Sequence, residues 1–128
     1  MLFLGDEEEF FPDEIKEIIL SILDEALSSC KEQSRRNDVV KDLLDHNSYG
    51  HECQKHQKQI MELMTGYSVM SSALRGALMD LGIHIQDDGK HYKLVYYGDH
   101  RYQTTMSKTG SDVREGRNIA SKIIKTMF

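Results

Sequence analysis

Apolar residues recur at intervals of three and four positions over residues 12–33, which is the spacing of one face of an α-helix. Pro12 suits the first turn of a helix, and the two acidic residues that follow it favour the positive end of the helix dipole. The pattern therefore predicts an amphipathic helix over this range. Its apolar positions are Ile15, Ile18, Ile19, Ile22, Leu23, Ala26, Leu27 and Cys30.

Three shorter helical patterns follow this first helix. Gly66 separates the second of them from the third, and Ser68 is placed to cap the third. That last helix reaches Gly82, a residue type that commonly ends helices. The predicted ranges are 38–45, 51–65 and 69–81.

After Gly82 the pattern changes from helical spacing to the alternation of apolar and polar residues that is typical of strands. Asp88-Gly89 supplies the positive φ that a tight hairpin turn needs, and a second polar turn follows at 98–101. The expected result is an antiparallel meander, and three strands are enough for a stable sheet. The predicted strands are 83–86, 91–97 and 102–108.

The last segment predicts a helix with one apolar side and one basic side. Ser111 is the expected N-cap, and Asp112 and Glu115 fall in the first turn. Gly116 costs a helix about 1 kcal/mol relative to alanine, so we expect a partner or a packed strand to approach closely there. The apolar side carries Val113, Ala120, Ile123, Ile124 and Met127, and the basic side carries Arg114, Arg117, Lys122 and Lys125.

These elements predict an α+β fold. A helical region over 12–66 precedes an α-β-β-β-α module over 68–128, in which the strands form a three-stranded antiparallel sheet. The net charge of −5 is divided unevenly between the two halves. Residues 1–67 hold 15 acidic residues and 7 Lys or Arg, whereas residues 68–128 hold 6 and 9. This asymmetry indicates either two functional surfaces or attraction between the halves.

The basic half carries the candidate nucleic-acid contacts. Aromatic side chains interleaved with cations can stack bases and hold phosphates, and four tyrosines lie beside these cations. The alternative is that the cations are a solvated face and the tyrosines are core or rim residues. The candidate cations are Lys93, Arg101, Lys108, Arg114, Arg117, Lys122 and Lys125, and the tyrosines are Tyr92, Tyr96, Tyr97 and Tyr102.

Possible metal ligands are densest in the middle of the chain, but their spacing matches no standard zinc module. We expect neither a metal nor another cofactor, although the residues leave metal binding open for His46, His51, Cys53 and His56. The two cysteines do not form a disulfide framework, so free thiols in the cytoplasm are expected. No apolar run is long enough to span a membrane, and an acidic run after the first residues argues against a secretory leader.

Residues 69–126 combine a helix-strand-strand-strand-helix order with three short motifs, which are Leu81-Gly82, then Ile83-His84-Ile85, then Gly89-Lys90-His91. This order resembles the double-stranded-RNA-binding fold and, more narrowly, the small HicA-type toxin family. In the toxin family a helix ends at glycine, a strand follows, and a Gly-x-His motif opens the next strand. The resemblance implies a messenger-RNA endonuclease in which His91 is catalytic.

The sequence supports three functional hypotheses and leaves open whether the protein is an enzyme. The first is a small intracellular binding module that contacts RNA or DNA through the basic helix and a sheet edge. The second is a HicA-like endoribonuclease that uses His91. The third is a protein-interaction module, forming a homo-oligomer along a helical seam. That seam would consist of Ile15, Ile19, Ile22 and Leu23.

Overall fold

Five helices and three strands make up the regular structure of residues 3–110 and 112–128, the part of the chain that this computed structural model describes. Helices come first, then a three-stranded antiparallel sheet, then a final helix, which confirms the predicted α+β fold. None of the described helices is both long and apolar enough to cross a membrane. The elements are α1 (Glu14–Leu27), α2 (Arg35–Asp45), α3 (Glu52–Met64), α4 (Ser72–Asp80), β1 (Ile83–Asp88), β2 (His91–Tyr96), β3 (Asp99–Ser107) and α5 (Glu115–Met127).

The chain divides into two compact units at the start of α3. The first, which we call the N-terminal unit, extends to Cys53, and the second, the C-terminal unit, is Gln54–Phe128. The sequence up to Cys53 holds 5 Lys or Arg and 14 Asp or Glu, a formal charge of −9. The remainder holds 11 and 7, a formal charge of +4. The charge asymmetry therefore follows the division into units.

In the N-terminal unit, α1 is shorter than its apolar periodicity predicts. It begins at Glu14, because Asp13 has a left-handed backbone with φ of 68°. It ends at Leu27, where the hydroxyls of Ser28 and Ser29 donate hydrogen bonds to carbonyl groups of the last turn. Such local bonds compete with continuation of a helix. α2 is longer than predicted, because the Ser34 hydroxyl accepts the N–H of Asn37 at 3.2 Å and so caps an earlier start.

The acidic face of α1 is buried, and much of its apolar face is exposed. Glu14 and Glu17 are 9% and 5% exposed, whereas Ile18, Ile19 and Ile22 are 41%, 45% and 59% exposed. Each buried glutamate holds a separate piece of chain: Glu14 Oε1 accepts the N–H of Phe10 at 2.8 Å, and Glu17 Oε1 accepts the N–H of Gly50 at 2.7 Å. The periodicity identified an apolar face but did not specify its partner.

Two tight turns connect the strands of the C-terminal unit in chain order. The first turn is Gly89-Lys90, between the paired residues Asp88 and His91, as the Asp-Gly signal predicted. The second is Tyr97-Gly98, because Tyr96 already pairs with Asp99. Tyr97 and Gly98 both have positive φ, 49° and 73°, as a type I′ turn requires. The third strand therefore starts at Asp99, three residues earlier than predicted.

The helices that flank the sheet also begin later than predicted. α4 begins at Ser72, since the Ser71 hydroxyl rather than that of Ser68 caps it by accepting the N–H of Leu74 at 3.1 Å. α5 begins at Glu115, after a turn in which Val113 is 89% exposed, so the prediction that Val113 belongs to the apolar face was wrong. The predicted cap Ser111 lies outside the described residues. α4 contacts β1, and α5 contacts β3.

The core of the C-terminal unit combines sheet residues with the apolar face of α5. The register brings Ile83 opposite Tyr96 and Tyr92 opposite Met106, so these residues share one side of the sheet. The opposite side carries His91, Lys93 and Val95. The buried side chains of this unit are Ile60, Met64, Tyr67, Leu78, Ile83, Leu94, Val95, Tyr96, Met106, Ile119, Ala120 and Ile123.

Candidate nucleic-acid interface

A polar cleft of about 280 Å³ lies between the end of the sheet and α5. It brings together two of the residues singled out from the sequence, the candidate catalytic residue His91 and the candidate phosphate ligand Lys122. Hydroxyl, amide and carboxylate groups complete the lining. The full lining is His91, Thr105, Met106, Ser107, Glu115, Asn118, Ile119 and Lys122.

The hairpin places His91 at the cleft. His91 is the first residue of β2 and directly follows the Gly89-Lys90 turn, so it lies at the end of the sheet. In the register it is opposite Asp88 on β1 and Ser107 on β3. Its side chain is exposed. An imidazole held at a sheet end beside a cation can exchange a proton with a bound molecule.

Ser107 joins β3 to the first turn of α5 and shapes the cleft. Its hydroxyl is the donor to two acceptors that share its one proton, the Glu115 carboxylate and the Thr109 carbonyl oxygen. Glu115, Asn118 and Lys122 face the same cleft because they lie three, four and seven positions apart on one helix. Ser107, Glu115 and Asn118 were not predicted as site residues. The helical spacing of residues 115, 118 and 122 was the available signal for the two on α5.

Four cations form what we call the basic row, a line of exposed side chains along α5 and the turn before it. Their spacing puts them on one side of the helix. Within residues 3–110 and 112–128, none of the four makes an ion pair. Lys122 belongs both to this row and to the cleft. The row consists of Arg114, Arg117, Lys122 and Lys125.

Two of the other candidate cations already hold carboxylates. Arg101 binds Asp99 with two guanidinium nitrogens, Nε at 3.1 Å from Oδ1 and Nη2 at 2.7 Å from Oδ2. Lys108 Nζ lies 2.6 Å from Oδ1 of Asp87. Hydrogen bonds to these cations lower the pKa of both aspartates below the ordinary value of 3.8. A phosphate would have to compete with Asp99 for Arg101 and with Asp87 for Lys108. The remaining candidate cation, Lys93, is half-buried on β2.

The tyrosines are distributed between the core and cation contacts. Tyr96 is 2% exposed and contacts the rings of Tyr97 and Phe128, so it belongs to the core. Tyr92 has the Lys108 ammonium 5.2 Å from its ring centroid and the Arg75 guanidinium 5.5 Å from it. Arg75 was not recognised from the sequence. The positions of Tyr92 and Tyr96 therefore give little support to the hypothesis that bases stack on the tyrosines of the sheet.

The histidine and cysteine side chains of the middle segment have other contacts. His46 lies 3.3 Å from a carboxylate oxygen of Asp42, and the His51 ring centroid is 4.0 Å from that of Tyr49. Among the residues that the structure describes, no three His, Cys, Asp or Glu side chains are grouped so that they could hold a metal ion. The geometry therefore directs attention to the cleft and the basic row.

The side chains of the cleft and of the basic row are suited to binding anions. Arginine and lysine bind phosphate oxygens through charge-assisted hydrogen bonds, and the Thr105 hydroxyl adds a neutral donor beside Lys122. The carboxylate of Glu115 is the opposing charge in the cleft.

Scans of this chain against protein-family models, curated proteins and solved structures each found no match.

Proposed function

We propose that the C-terminal unit binds the phosphate backbone of a nucleic acid through the basic row on α5. The observation that carries this proposal is that four exposed cations lie on one side of a helix and make no ion pair within the described residues. Solvated surface cations are commonly interspersed with carboxylates. The carboxylate next to the row in sequence, Glu115, is hydrogen-bonded by Ser107, so the four cations leave the row with a net positive charge that suits a negatively charged partner.

The dimensions of the row fit a polyanion. Residues 114–125 of a helix extend over about 16 Å, which covers several phosphates at the spacing of one strand of duplex DNA. Arg114 and Arg117 offer planar guanidinium groups that can bind two phosphate oxygens each, and the lysines add point charges. Such contacts position a nucleic acid without reading its sequence. The α-β-β-β-α order, which resembles the double-stranded-RNA-binding fold, favours RNA as the partner.

Fluorescence anisotropy with labelled duplex and single-stranded RNA and DNA tests this proposal. With four phosphate contacts, the affinity of the full chain is expected to fall about 10²-fold between 50 and 200 mM salt. The triple variant Arg114→Gln, Arg117→Gln, Lys125→Gln should lose most of the binding. A matched triple variant at the exposed lysines Lys31, Lys41 and Lys58 should retain it. Binding that is indifferent to salt, or equally weak in both variants, would contradict the proposal.

An endoribonuclease is the second candidate, favoured by the meeting of His91 and Lys122 in one cleft. In such a reaction the 2′-hydroxyl of RNA attacks the adjacent phosphorus and the bond to the 5′-oxygen breaks. His91 would either accept the proton of the 2′-hydroxyl as base or donate one to the departing 5′-oxygen as acid, with water making the other proton transfer, and Lys122 would stabilise negative charge on the phosphoryl oxygens. The role of His91 agrees with what the HicA resemblance implies.

Incubation with RNA, followed by recovery and sizing of the strands, separates this candidate from simple binding. If the protein is a ribonuclease, His91→Ala should abolish cleavage while the fold is retained, as measured by circular dichroism. His84→Ala is the matched control, because His84 is also exposed on the sheet but does not line the cleft. Binding without cleavage would leave the first proposal and remove the second.

A further inference from the structure

Over the described residues 3–53, the N-terminal unit exposes an apolar surface that its own side chains do not cover. On α1, Ile18, Ile19 and Ile22 are between 41% and 59% exposed, while two glutamates of the same helix are buried. On α2, Val39 and Leu43 are 39% and 41% exposed. Single exposed apolar residues are ordinary, whereas several on two adjoining helices are typical of surfaces that contact another molecule.

Part of this surface is a groove of about 750 Å³. Its floor is made by α1 and α2, which contact each other, and one wall is the arm, by which we mean residues 3–11. The arm contributes three consecutive glutamates to the rim. The lining is Leu4, Glu7, Glu8, Glu9, Ile15, Lys16, Ile19, Leu20, Leu23, Leu43 and Asn47.

The groove is apolar in its floor and negative at its rim. Among the described residues that line it, Lys16 is the single cation, and its ammonium lies 3.8 Å from a carboxylate oxygen of Asp13. The chain up to Cys53 carries a formal charge of −9. A molecule that fills the groove must therefore be apolar where it meets the isoleucines and positive where it meets the glutamates.

We propose that this groove docks an amphipathic helix of a partner protein, with large apolar residues on one face and Lys or Arg along its flank. A groove between two packed helices matches the ridge of a third helix, whose anchors recur at i, i+3 or i+4, and i+7. A docked strand would need free backbone donors and acceptors, which a helical floor does not offer. A second copy of this chain would bring two negative rims together, so charge favours a basic partner.

The probe for this site is a synthetic peptide of about 18 residues, five helical turns, with leucines at i, i+3, i+4 and i+7 and lysines on the flanks. A matched peptide carries glutamate in place of each lysine. Measured by anisotropy against the full chain, the lysine peptide is expected to bind at least about tenfold more tightly, a difference of about 1.4 kcal/mol. Equal affinities, or no binding of either peptide, would overturn the proposal.

Adjacent isoleucines provide the control for location. Ile19 lines the groove, whereas Ile18 is similarly exposed on the same helix but does not line it. Ile19→Ser should therefore weaken peptide binding about tenfold, and Ile18→Ser should leave it unchanged. An equal loss in both variants would place the peptide elsewhere on α1 and overturn the assignment.

Substitution of the rim tests the charge argument. Replacing Glu7, Glu8 and Glu9 by glutamine should reduce the preference for the lysine peptide, while the same change at exposed Glu25, Glu32 and Glu62 should not. An equal effect would show general attraction to an acidic chain. Sedimentation of the unliganded protein is the final check, since a dimer abolished by Ile19→Ser would assign the groove to a second copy. These assays contain no nucleic acid, so their result is independent of the function proposed for the C-terminal unit.

Discussion

Gly116 lies directly against the backbone carbonyl oxygen of Met64, and a methyl group added at Gly116 would overlap that oxygen. Gly116 is buried in the first turn of α5, and Met64 is the last residue of α3. The close approach expected from a glycine inside a helix is thus made by the end of another helix, not by a strand or a partner. It fixes the start of α5, and hence the cleft beside it.

We expect Gly116→Ala to destabilise the C-terminal unit by about 1–3 kcal/mol, because the backbone must shift to relieve the overlap. This is opposite in sign to the usual effect of alanine in a helix. Gly76→Ala is the control, since Gly76 is exposed on α4 and an added methyl group meets nothing within 4 Å. It should stabilise by about 0.5–1 kcal/mol. Urea unfolding measures both values, and stabilisation by both substitutions would disprove the steric argument.

Cys53 is expected to react slowly with alkylating reagents. Burial raises the pKa of its thiol above the ordinary value of 9.0, and the charges of Glu17 and Glu14 act in the same direction. Because the thiolate is the nucleophile, Glu17→Gln should lower this pKa and speed alkylation severalfold. Ser21→Ala should slow it, since the hydrogen bond from Ser21 favours the thiolate.

The measurement is the rate of iodoacetamide modification as a function of pH, in a Cys30→Ser background so that Cys53 is the reporting thiol. Circular dichroism establishes that each variant retains its fold. Opposite shifts in the two variants are the expected signature. Shifts in the same direction would indicate that both substitutions simply loosen the unit.

The ion pair between Lys108 and Asp87 predicts a loss of stability in acid. The hydrogen bond from Lys108 lowers the pKa of Asp87 in the folded protein below its ordinary value of 3.8. The contribution is therefore fully present above that value and is lost as the pH falls through the lowered pKa. Asp87→Asn should therefore reduce the amount by which the free energy of unfolding falls between neutral and acidic pH.

Urea unfolding of the two proteins at neutral pH and at about pH 3 tests this expectation. Asp88→Asn is the control, because Asp88 is the next residue, is also exposed and makes no ion pair among the described residues. If both variants lose stability in acid as steeply as the original protein, the pair contributes nothing to the folded state.

The cations should differ in their contribution to phosphate binding according to their existing partners. Arg117→Gln is expected to reduce the slope of log affinity against log salt by about 0.7–0.9, the value for one lost phosphate contact. Arg101→Gln should change the slope by less, because Arg101 is bound to Asp99. Salt titrations of the two arginine variants with one RNA make the comparison, and equal slopes would show that the ion pair opens freely.

The order of the elements was predictable, because hydrophobic period and turn residues are local signals. The Asp-Gly turn at Gly89 is an example. The second turn was misplaced because it uses Tyr97 at positive φ, a conformation that glycine or asparagine would indicate and tyrosine does not. In this conformation the Tyr97 ring lies against Gly82, where a methyl group would overlap it. That arrangement depends on a contact between distant residues and has no local signal.

The candidate site was predictable in part for the same reason. His91 and Lys122 were each identified separately, but only the packing of α5 on β3 brings them to one cleft. The orientation of α1, by contrast, could not be predicted from its periodicity. Helical periodicity grouped its isoleucines correctly, yet hydrogen bonds to Phe10 and Gly50 placed its glutamates inside. The contact with Gly50 joins residues 33 positions apart, and neither hydrogen bond leaves a repeat in the sequence.

The sheet runs in chain order with two-residue turns, and this has a consequence for synthesis on the ribosome. Each strand finds its neighbour within a few residues, so the loop-closure entropy is small and pairing is rapid. All three strands leave the exit tunnel before α5, which supplies the buried Ile119 and Ile123. The two hairpins are thus expected to pair before α5 packs, and until then the apolar side of the sheet stays exposed to water. When α5 packs on the sheet, it buries Ile119 and Ile123 and at the same time forms the cleft.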